Sequence, residues 1–454
     1  EKQVGDKVMT ATINKSGYFK LRAEKIGKDT TIAQVITLVK EAGSSKAPIA
    51  KLADRVSSVF VPIVICIALI AVIIWLISGQ SFEFSLSIGI TVLVISCPCA
   101  LGLATPVAIM VGTGRGASNG IIIKSAEALE EAKSIDTVVL DKTGTITQGK
   151  PEVTDILMAD GIESRHLLTI AASIEKPSER PLADAIVEKA KIEEIDFKSV
   201  DEFKSVPGKG IIGIIDGQHY FAGNLLFMQE KHIPVAQWMT RAEVLAHSGK
   251  TPLYVADRKK VLGIIAVMDI IKPTSYKAVN QFKAMGLDVV MLTGDNRRTA
   301  EAFCRELGIE SVVADVLPQD KEKEIRRIQE EGKKVAMIGD GINDAPALAR
   351  ADVGIAIGSG TDIAIESADI VLMKSDLRDA VTSIRLSKAT IRNIKQNLFW
   401  AFLYNTLGIP LAAGVFYPLF GLRLNPMFAA AAMSLSSIFV VTNALRLRFF
   451  NNHV

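Results

Sequence analysis

Cysteine is scarce: four residues in a chain of 454. That is too few for a disulfide framework at this size. Net charge is only +3, with no Lys/Arg tract and no nucleic-acid motif, so nothing supports electrostatic binding of nucleic acid. No signal peptide opens the chain, and residue 1 is Glu rather than Met, which points to a piece of a longer protein. Charge is also missing locally. Residues 59–77, 84–111, 399–420 and 426–445 contain no Asp, Glu, His, Lys or Arg.

What fills those stretches is apolar. Hydrophobic residues make up 49% of the chain and mean hydropathy is +0.30, high for a soluble protein. Each stretch is about long enough to cross a bilayer. Lys46, Lys51 and Arg55 precede the first, and Arg115 and Lys124 follow the second. Lys388, Arg392 and Lys395 precede the third, and Arg446 and Arg448 follow the fourth. The loops after the first and third carry no Lys and one Arg, Arg423. This bias predicts an integral membrane protein with the middle of the chain in the cytoplasm.

The second stretch is broken by Cys97-Pro98-Cys99 and by Gly102 and Pro106. Pro98 removes a backbone donor and kinks a helix. A broken helix at membrane depth is tolerated where it lines a cavity or ion path. Two thiolates beside the break are soft ligands that favour Cu(I) or zinc over Mg²⁺ or Ca²⁺. A divalent ion would gain from a nearby carboxylate or imidazole, and these stretches hold none, which favours a monovalent soft ion. Single cysteines such as Cys66 and Cys304 read as packing residues.

Between the hairpins, apolar strands alternate with amphipathic helices over 121–150 and about 264–390, as in a parallel α/β domain. Residues 151–263 interrupt this pattern with helices and β-rich runs of their own, an inserted α+β domain. Thr137-Val138-Val139-Leu140 reads as a buried parallel strand ending in Asp141-Lys142-Thr143-Gly144-Thr145. A carboxylate at a strand's carboxyl end can attack a phosphoryl group and form an acyl-phosphate. A second strand runs into Thr293-Gly294-Asp295, where Thr293 can bond a phosphoryl oxygen and Gly294 permits close approach. Lys321, at a helix start, offsets phosphate charge. A third strand ends in Gly339-Asp340-Gly341-Ile342-Asn343-Asp344, whose Asp340 and Asp344 suit Mg²⁺ beside a substrate phosphate.

D-K-T-G-T, T-G-D and G-D-G-I-N-D-A-P together resemble the P-type ATPases, whose phosphorylation domain is haloacid-dehalogenase-like. The resemblance covers nearly the whole chain. It implies that Asp141 is the phosphorylated aspartate and that Asp340 and Asp344, with Asp141, serve Mg²⁺. Tyr404-Asn405 and Met433 with Ser436 and Ser437 match the Y-N and M-x-x-S-S patterns of the copper-transporting subclass. The resemblance therefore implies a Cu(I) path through Cys97, Cys99, Tyr404, Asn405, Met433 and Ser437, with Ag(I) as a chemical mimic. It leaves room for a metallochaperone that delivers the ion. In the insert, Glu175, Gly208-x-Gly210 and Gly223-Asn224 match nucleotide contacts of the family. Where the family carries S-E-H-P-L, this chain has Arg180 in place of the His; a guanidinium can still stack on a ring.

The domains expected are a partial β-rich actuator domain (1–42), a linker helix (43–56) and a transmembrane hairpin with Cys-Pro-Cys (57–120). The phosphorylation domain (121–150 and 264–390), the inserted nucleotide-binding domain (151–263) and a second transmembrane hairpin (391–454) complete the chain, for four transmembrane helices in all. The activity implied is ATP-driven Cu(I) export from a bacterial plasma membrane. Two other readings stand beside it. One is a membrane-anchored phosphatase, against which Thr143 argues, since related phosphatases carry a second Asp there. The other is an inactive or partner-dependent fragment of a heavy-metal (Ag, Zn or Cd) ATPase. No T-G-E occurs in the chain. In the family that actuator loop positions the hydrolytic water, so full turnover is expected to need the actuator segment and first helices in cis or in trans.

Overall fold

The computed structural model describes residues 20, 22, 48–97, 99–178, 181–206, 209–295, 297–340, 344–358 and 366–451. Pro98, Arg180, Gly208, Asn343 and the β unit expected over 1–42, apart from Lys20 and Arg22, lie outside them. The chain forms two compact units, one of 1–135, 369–374 and 379–454, the other of 136–368 and 375–378.

The first unit opens with α1 (Pro48–Ile77), so the approach segment and the first apolar stretch are one helix. Next come α2 (Phe82–Ile95) and α3 (Cys99–Ser118). Ser81 caps α2 by accepting a hydrogen bond from Phe84 N at 3.1 Å. Strand β1 (Ile121–Ile123) and helix α4 (Ala126–Ser134) follow.

In the second unit, β2 is Thr137–Asp141 and β3 is Thr147–Met158. The insert continues with α5 (Ser164–Glu175), α6 (Pro181–Ile192), β4 (Glu202–Val206), β5 (Gly210–Ile215), β6 (Gln218–Gly223), α7 (Leu225–Glu230), α8 (Ala236–His247), β7 (Thr251–Asp257) and β8 (Val261–Ile271). Then come α9 (Pro273–Ala284), β9 (Asp288–Leu292), α10 (Arg297–Leu307), β10 (Ser311–Val313), α11 (Lys321–Glu330), β11 (Val335–Gly339), α12 (Ala345–Arg350) and β12 (Val353–Ile357).

Two sheets organise this unit. One runs β12-β11-β2-β9-β10, with all four neighbour pairs parallel. All five residues of β2 are buried, as a central parallel strand with both faces covered requires. The other sheet is antiparallel, in the order β3-β8-β7-β6-β5-β4. Its strands alternate faces: Leu253 and Val255 join α5 and α6 in one core, while Tyr254 and Ala256 join Phe227, Trp238 and Ala242 in another. The two crossings between insert and host run side by side, with Thr147 opposite Ile271.

The chain then returns to the first unit with β13 (Ile370–Leu372), antiparallel to β1. The 36-residue α13 (Leu377–Ala412) runs uninterrupted through residues 390 and 391, and α14 is Pro426–Leu445. Val64 and Ala68 of α1, Val92 and Ile95 of α2, Ala412 and Ala429 form one core. Close approach is set by glycine: a Cβ at Gly89 would lie 2.5 Å from Val72 Cγ2, and one at Gly112 would lie 2.6 Å from Thr390 Oγ1. A buried asparagine cluster joins α13 to α14. Asn443 Nδ2 donates to Asn397 Oδ1 at 2.8 Å, and Asn393 Nδ2 to the Asn443 carbonyl at 2.9 Å. Such amide pairs act as glue between apolar helices.

Among the described residues, two helical stretches are long and apolar enough to cross a membrane, Arg55–Ile77 and Pro426–Phe449. The other two stretches expected to span are divided differently. The second is split into α2 and α3, because Ser96 and Cys97 leave the helix; α3 then runs unbroken through Gly102 and Pro106, where a further break was expected. The third is the apolar end of α13, which stops at Ala412; Gly414 then turns with φ +78° under the Trp75 ring.

Candidate functional site

The strand registers bring the motifs together. Asp141 is opposite Leu292 on β9, and Leu140 is opposite Ile338 on β11. The residues just past Leu292 and Gly339 are Thr293 and Asp340. Three motifs separated by long stretches of chain therefore meet at the carboxyl ends of β2 and its two neighbours. There the chain order changes direction across the sheet, which is where open α/β sheets place their sites.

At the centre, Lys321 Nζ donates to Asp141 Oδ1 at 2.5 Å and to Asp344 Oδ1 at 2.6 Å. Asp141, Lys321 and Asp344 are 5%, 7% and 2% exposed. Asp340 is half-buried, and one carboxylate oxygen from each of Asp141, Asp340 and Asp344 lies within 4.8 Å of the others. Burial, then Asp344, raises the Asp141 carboxyl to about 7 against the pull of Lys321. Burial and Asp344 raise Asp340 as well. Burial lowers the Lys321 ammonium, but Asp141 and Asp344 outweigh it and hold it above its ordinary value. Three crowded carboxylates, with the Lys321 ammonium between two of them and the field of Lys272 on Asp340, are short of positive charge. The all-oxygen donor set fits a hard divalent cation such as Mg²⁺.

The flanking residues are tied down. Lys142 pairs with Asp295 and lies over the Phe303 ring at 5.3 Å, so two site residues from different motifs restrain each other. Thr293, 3% exposed, accepts from Asp295 N at 3.1 Å. Gly294 is exposed, and Thr143 is exposed beside the buried Asp141. Gly144 takes φ +75°, and the space its Cβ would fill is held by Asp340 Oδ2, 1.8 Å away. Only glycine suits both demands.

Sequence reasoning missed a second layer from the end of β8. Asp269 accepts from Thr147 Oγ1 and, at 3.0 Å, from Gly149 N. Lys272 Nζ donates to the carbonyls of Gly144 and Thr145 and to Ser375 Oγ at 2.9 Å. Ser275 Oγ donates to the Ile146 carbonyl at 2.8 Å. These groups hold the turn after Asp141 from the far side of the insert. Burial pulls Lys272 below its ordinary value against the fields of Asp340, Asp269 and Asp376. The available signal was an Asp and a Lys bracketing two apolar residues ahead of Pro273.

In the insert, Gly210 and Gly223 are opposite each other on β5 and β6. A Cβ on Gly210 would lie 2.4 Å from the Ala222 carbonyl, and one on Gly223 would lie 2.6 Å from the Lys209 carbonyl. Asn224 caps α7, accepting from Phe227 N at 2.9 Å, and its own N–H donates to the Lys209 carbonyl at 2.9 Å. These three residues thus have a structural task at one strand end. Glu175 is fully buried at the end of α5.

Of the candidate metal-path residues, Cys97 is half-buried in the break before α3, and Cys99 begins that helix. Tyr404 and Asn405 lie on α13, Met433 and Ser437 on α14. Ala104, Ala401 and Val440 pack α3, α13 and α14 together. The hydroxyls of Thr105 and Tyr404 are buried without a hydrogen-bond partner among the described residues, which gives this apolar bundle unfilled polar valence.

This strand order and strand-end cluster define a haloacid dehalogenase-like domain, and the haloacid dehalogenase-like hydrolase family matches residues 135–352. The Copper-transporting ATPase 2 of Rhizobium meliloti (strain 1021) is 51% identical over 453 residues, 99% of this chain and 55% of that protein. The Copper-exporting P-type ATPase of Legionella pneumophila subsp. pneumophila is 47% identical over 449 residues, 98% of this chain and 61% of that protein. The crystal structure of a zinc-transporting PIB-type ATPase in its E2.Pi state superposes with a TM-score of 0.78 at 36% identity, covering 92% of this chain and 68% of that one. The chain belongs to the PIB-type branch of the P-type ATPases. It spans 55% and 61% of the two curated relatives.

Proposed function

We propose that the chain is the catalytic and ion-path part of a copper-exporting ATPase, with ATP bound on the insert and its γ-phosphoryl group transferred to Asp141. The observation that carries this reading is the buried Asp141–Lys321–Asp344 arrangement with Asp340 beside it. Asp141 Oδ attacks the γ-phosphorus, the bond to the β,γ-bridging oxygen breaks, and ADP leaves. Lys321 and Thr293 stabilise charge on the transferred group. The turn after Asp141, held by Asp269 and Lys272, keeps the nucleophile in line. Asp141, Asp340 and Asp344 would hold Mg²⁺, which supplies neutralisation of phosphate charge. Exposed Thr143 places no second carboxylate beside the nucleophile, so the acyl-phosphate persists as a transport intermediate. This favours transport over a phosphatase reaction.

Cu(I) is the substrate ion in this reading, carried between Cys97 and Cys99 and the Tyr404, Asn405, Met433 and Ser437 groups. Relatives named for copper transport support it, as does the lack of any charged or imidazole side chain in the apolar stretches. The helices cross a bacterial plasma membrane, and the α/β unit faces the cytoplasm. The test is anaerobic Cu(I) competition titration of the intact chain in detergent. Replacing Cys97 and Cys99 by Ser should abolish high-affinity Cu(I) binding and leave ATP binding unchanged. Stoichiometric Zn²⁺ binding in place of Cu(I) would move the chain to another subclass.

A further inference from the structure

One face of α13 carries Lys388, Arg392 and Lys395, and then Phe399 and Trp400. Steps of four, three, four and one residues keep all five on one side of a 3.6-residue helix. With Lys133 of α4 they line a cleft of about 470 Å³. Lys133 and Lys388 are half-buried and Arg392 and Lys395 exposed, and none of the four forms an ion pair with an acidic side chain among the described residues. The nearby acid, Glu130, is committed to Ile49 N at 2.8 Å. Lys133 is held below its ordinary value, first by the adjacent Lys395 ammonium and then by burial. Like charges are thus gathered in the cleft, and the field of Glu130 opposes their repulsion only at Lys133 among the described residues. The rings of Phe399 and Trp400 are 59% and 51% exposed and meet edge to face at 5.5 Å.

The order along the helix identifies the occupant. From Lys388 to Lys395 is about 10 Å of helix axis, on the scale of one headgroup layer. The rings follow where the apolar stretch begins, the level at which aromatic side chains sit at a membrane interface. A free phosphate would use the cations and leave the rings bare. A phospholipid uses both, with its phosphate among the cations and its acyl chains along the rings. We propose that this cleft is a binding site for the headgroup of an anionic phospholipid on the cytoplasmic leaflet. The site rests on the reading that α13 enters a bilayer.

The test places the intact chain in nanodiscs of phosphatidylcholine with a minor fraction of spin-labelled phosphatidylglycerol or spin-labelled phosphatidylcholine. The expected result is a preference for phosphatidylglycerol of roughly tenfold or more at low salt, declining as ionic strength rises. Lys388→Gln with Arg392→Gln and Lys395→Gln should remove the preference. The charge-conserving set Lys388→Arg, Arg392→Lys and Lys395→Arg should keep it. Equal association of the two lipids, an unchanged preference in the Gln variant, or displacement of the labelled lipid by millimolar inorganic phosphate or ATP would overturn the site. Failure of the chain to insert even into pure phosphatidylcholine discs would overturn the membrane reading and the site with it. Insertion without lipid preference would overturn the site alone.

Discussion

Replacing Lys321 by Met removes the ammonium shared by two buried carboxylates and keeps the side chain's length. Lys321 is 9% exposed at the side chain, with Asp141 at 7% and Asp344 at 3%. Removing one partner of a buried ion pair costs about 3–5 kcal/mol. Protonation limits the cost, because a carboxyl left without its cation can take a proton. Asp141, already raised to about 7 by burial and Asp344, rises further once Lys321 no longer opposes the shift. A carboxyl raised in the folded state stabilises that state at low pH, and the contribution is lost as pH rises through the folded pKa. Below about pH 7 Asp141 is therefore protonated in both proteins, and its share of the gap opens only above that pH. The assay is hydrogen exchange of the amides in 137–147 and 335–350, in EDTA, at pH 6 and pH 8. Exchange in the variant should be faster at pH 8 by on the order of 10²-fold, with a smaller ratio at pH 6. A ratio within threefold at pH 8, or a larger ratio at pH 6, would refute the reasoning.

Lys272→Met leaves the Gly144 and Thr145 carbonyls without a donor; each buried unsatisfied group costs about 1–3 kcal/mol. Phosphoryl transfer should slow about tenfold to a hundredfold while ATP affinity holds, and Lys272→Arg should recover part of the rate. Gly144→Ala forces a Cβ into the place of Asp340 Oδ2 and strains a φ of +75°. Titration with Mn²⁺ as a paramagnetic probe for Mg²⁺ should show affinity at least tenfold weaker by this exclusion. Burial first, and then Glu301, raises the Cys304 thiol from 9.0 to about 11. In a chain with its other cysteines replaced by Ser, iodoacetamide at pH 8 should alkylate Cys304 about a hundredfold more slowly than in the unfolded chain, since only the thiolate reacts.

The strand ends were legible because short apolar runs ending in small polar residues have few other readings. Thr137 to Leu140, and Val335 to Ile338, are buried throughout. Their mutual register was not legible, since nothing local specifies which strand pairs with which. The break at Cys97 was visible in Cys-Pro-Cys, yet proline alone does not mark one, since Pro62, Pro106 and Pro410 all lie inside helices. The length of α13 was not: Lys388, Arg392 and Lys395 mark a change of environment, and the backbone crosses that change without leaving the helix. Asp269 and Lys272 escaped notice because they act on residues more than a hundred positions away. Asn393, Asn397 and Asn443 were equally invisible, since each amide is meaningful only once α13 and α14 are side by side.

The central claim is that Asp141 receives the phosphoryl group. The intact chain, incubated with γ-labelled ATP and Mg²⁺ and quenched in acid, should retain label that hydroxylamine releases. The label should map to the peptide containing Asp141, and Asp141→Asn should abolish it. Undiminished labelling of the Asn variant, or label on a peptide that lacks residue 141, would contradict the account.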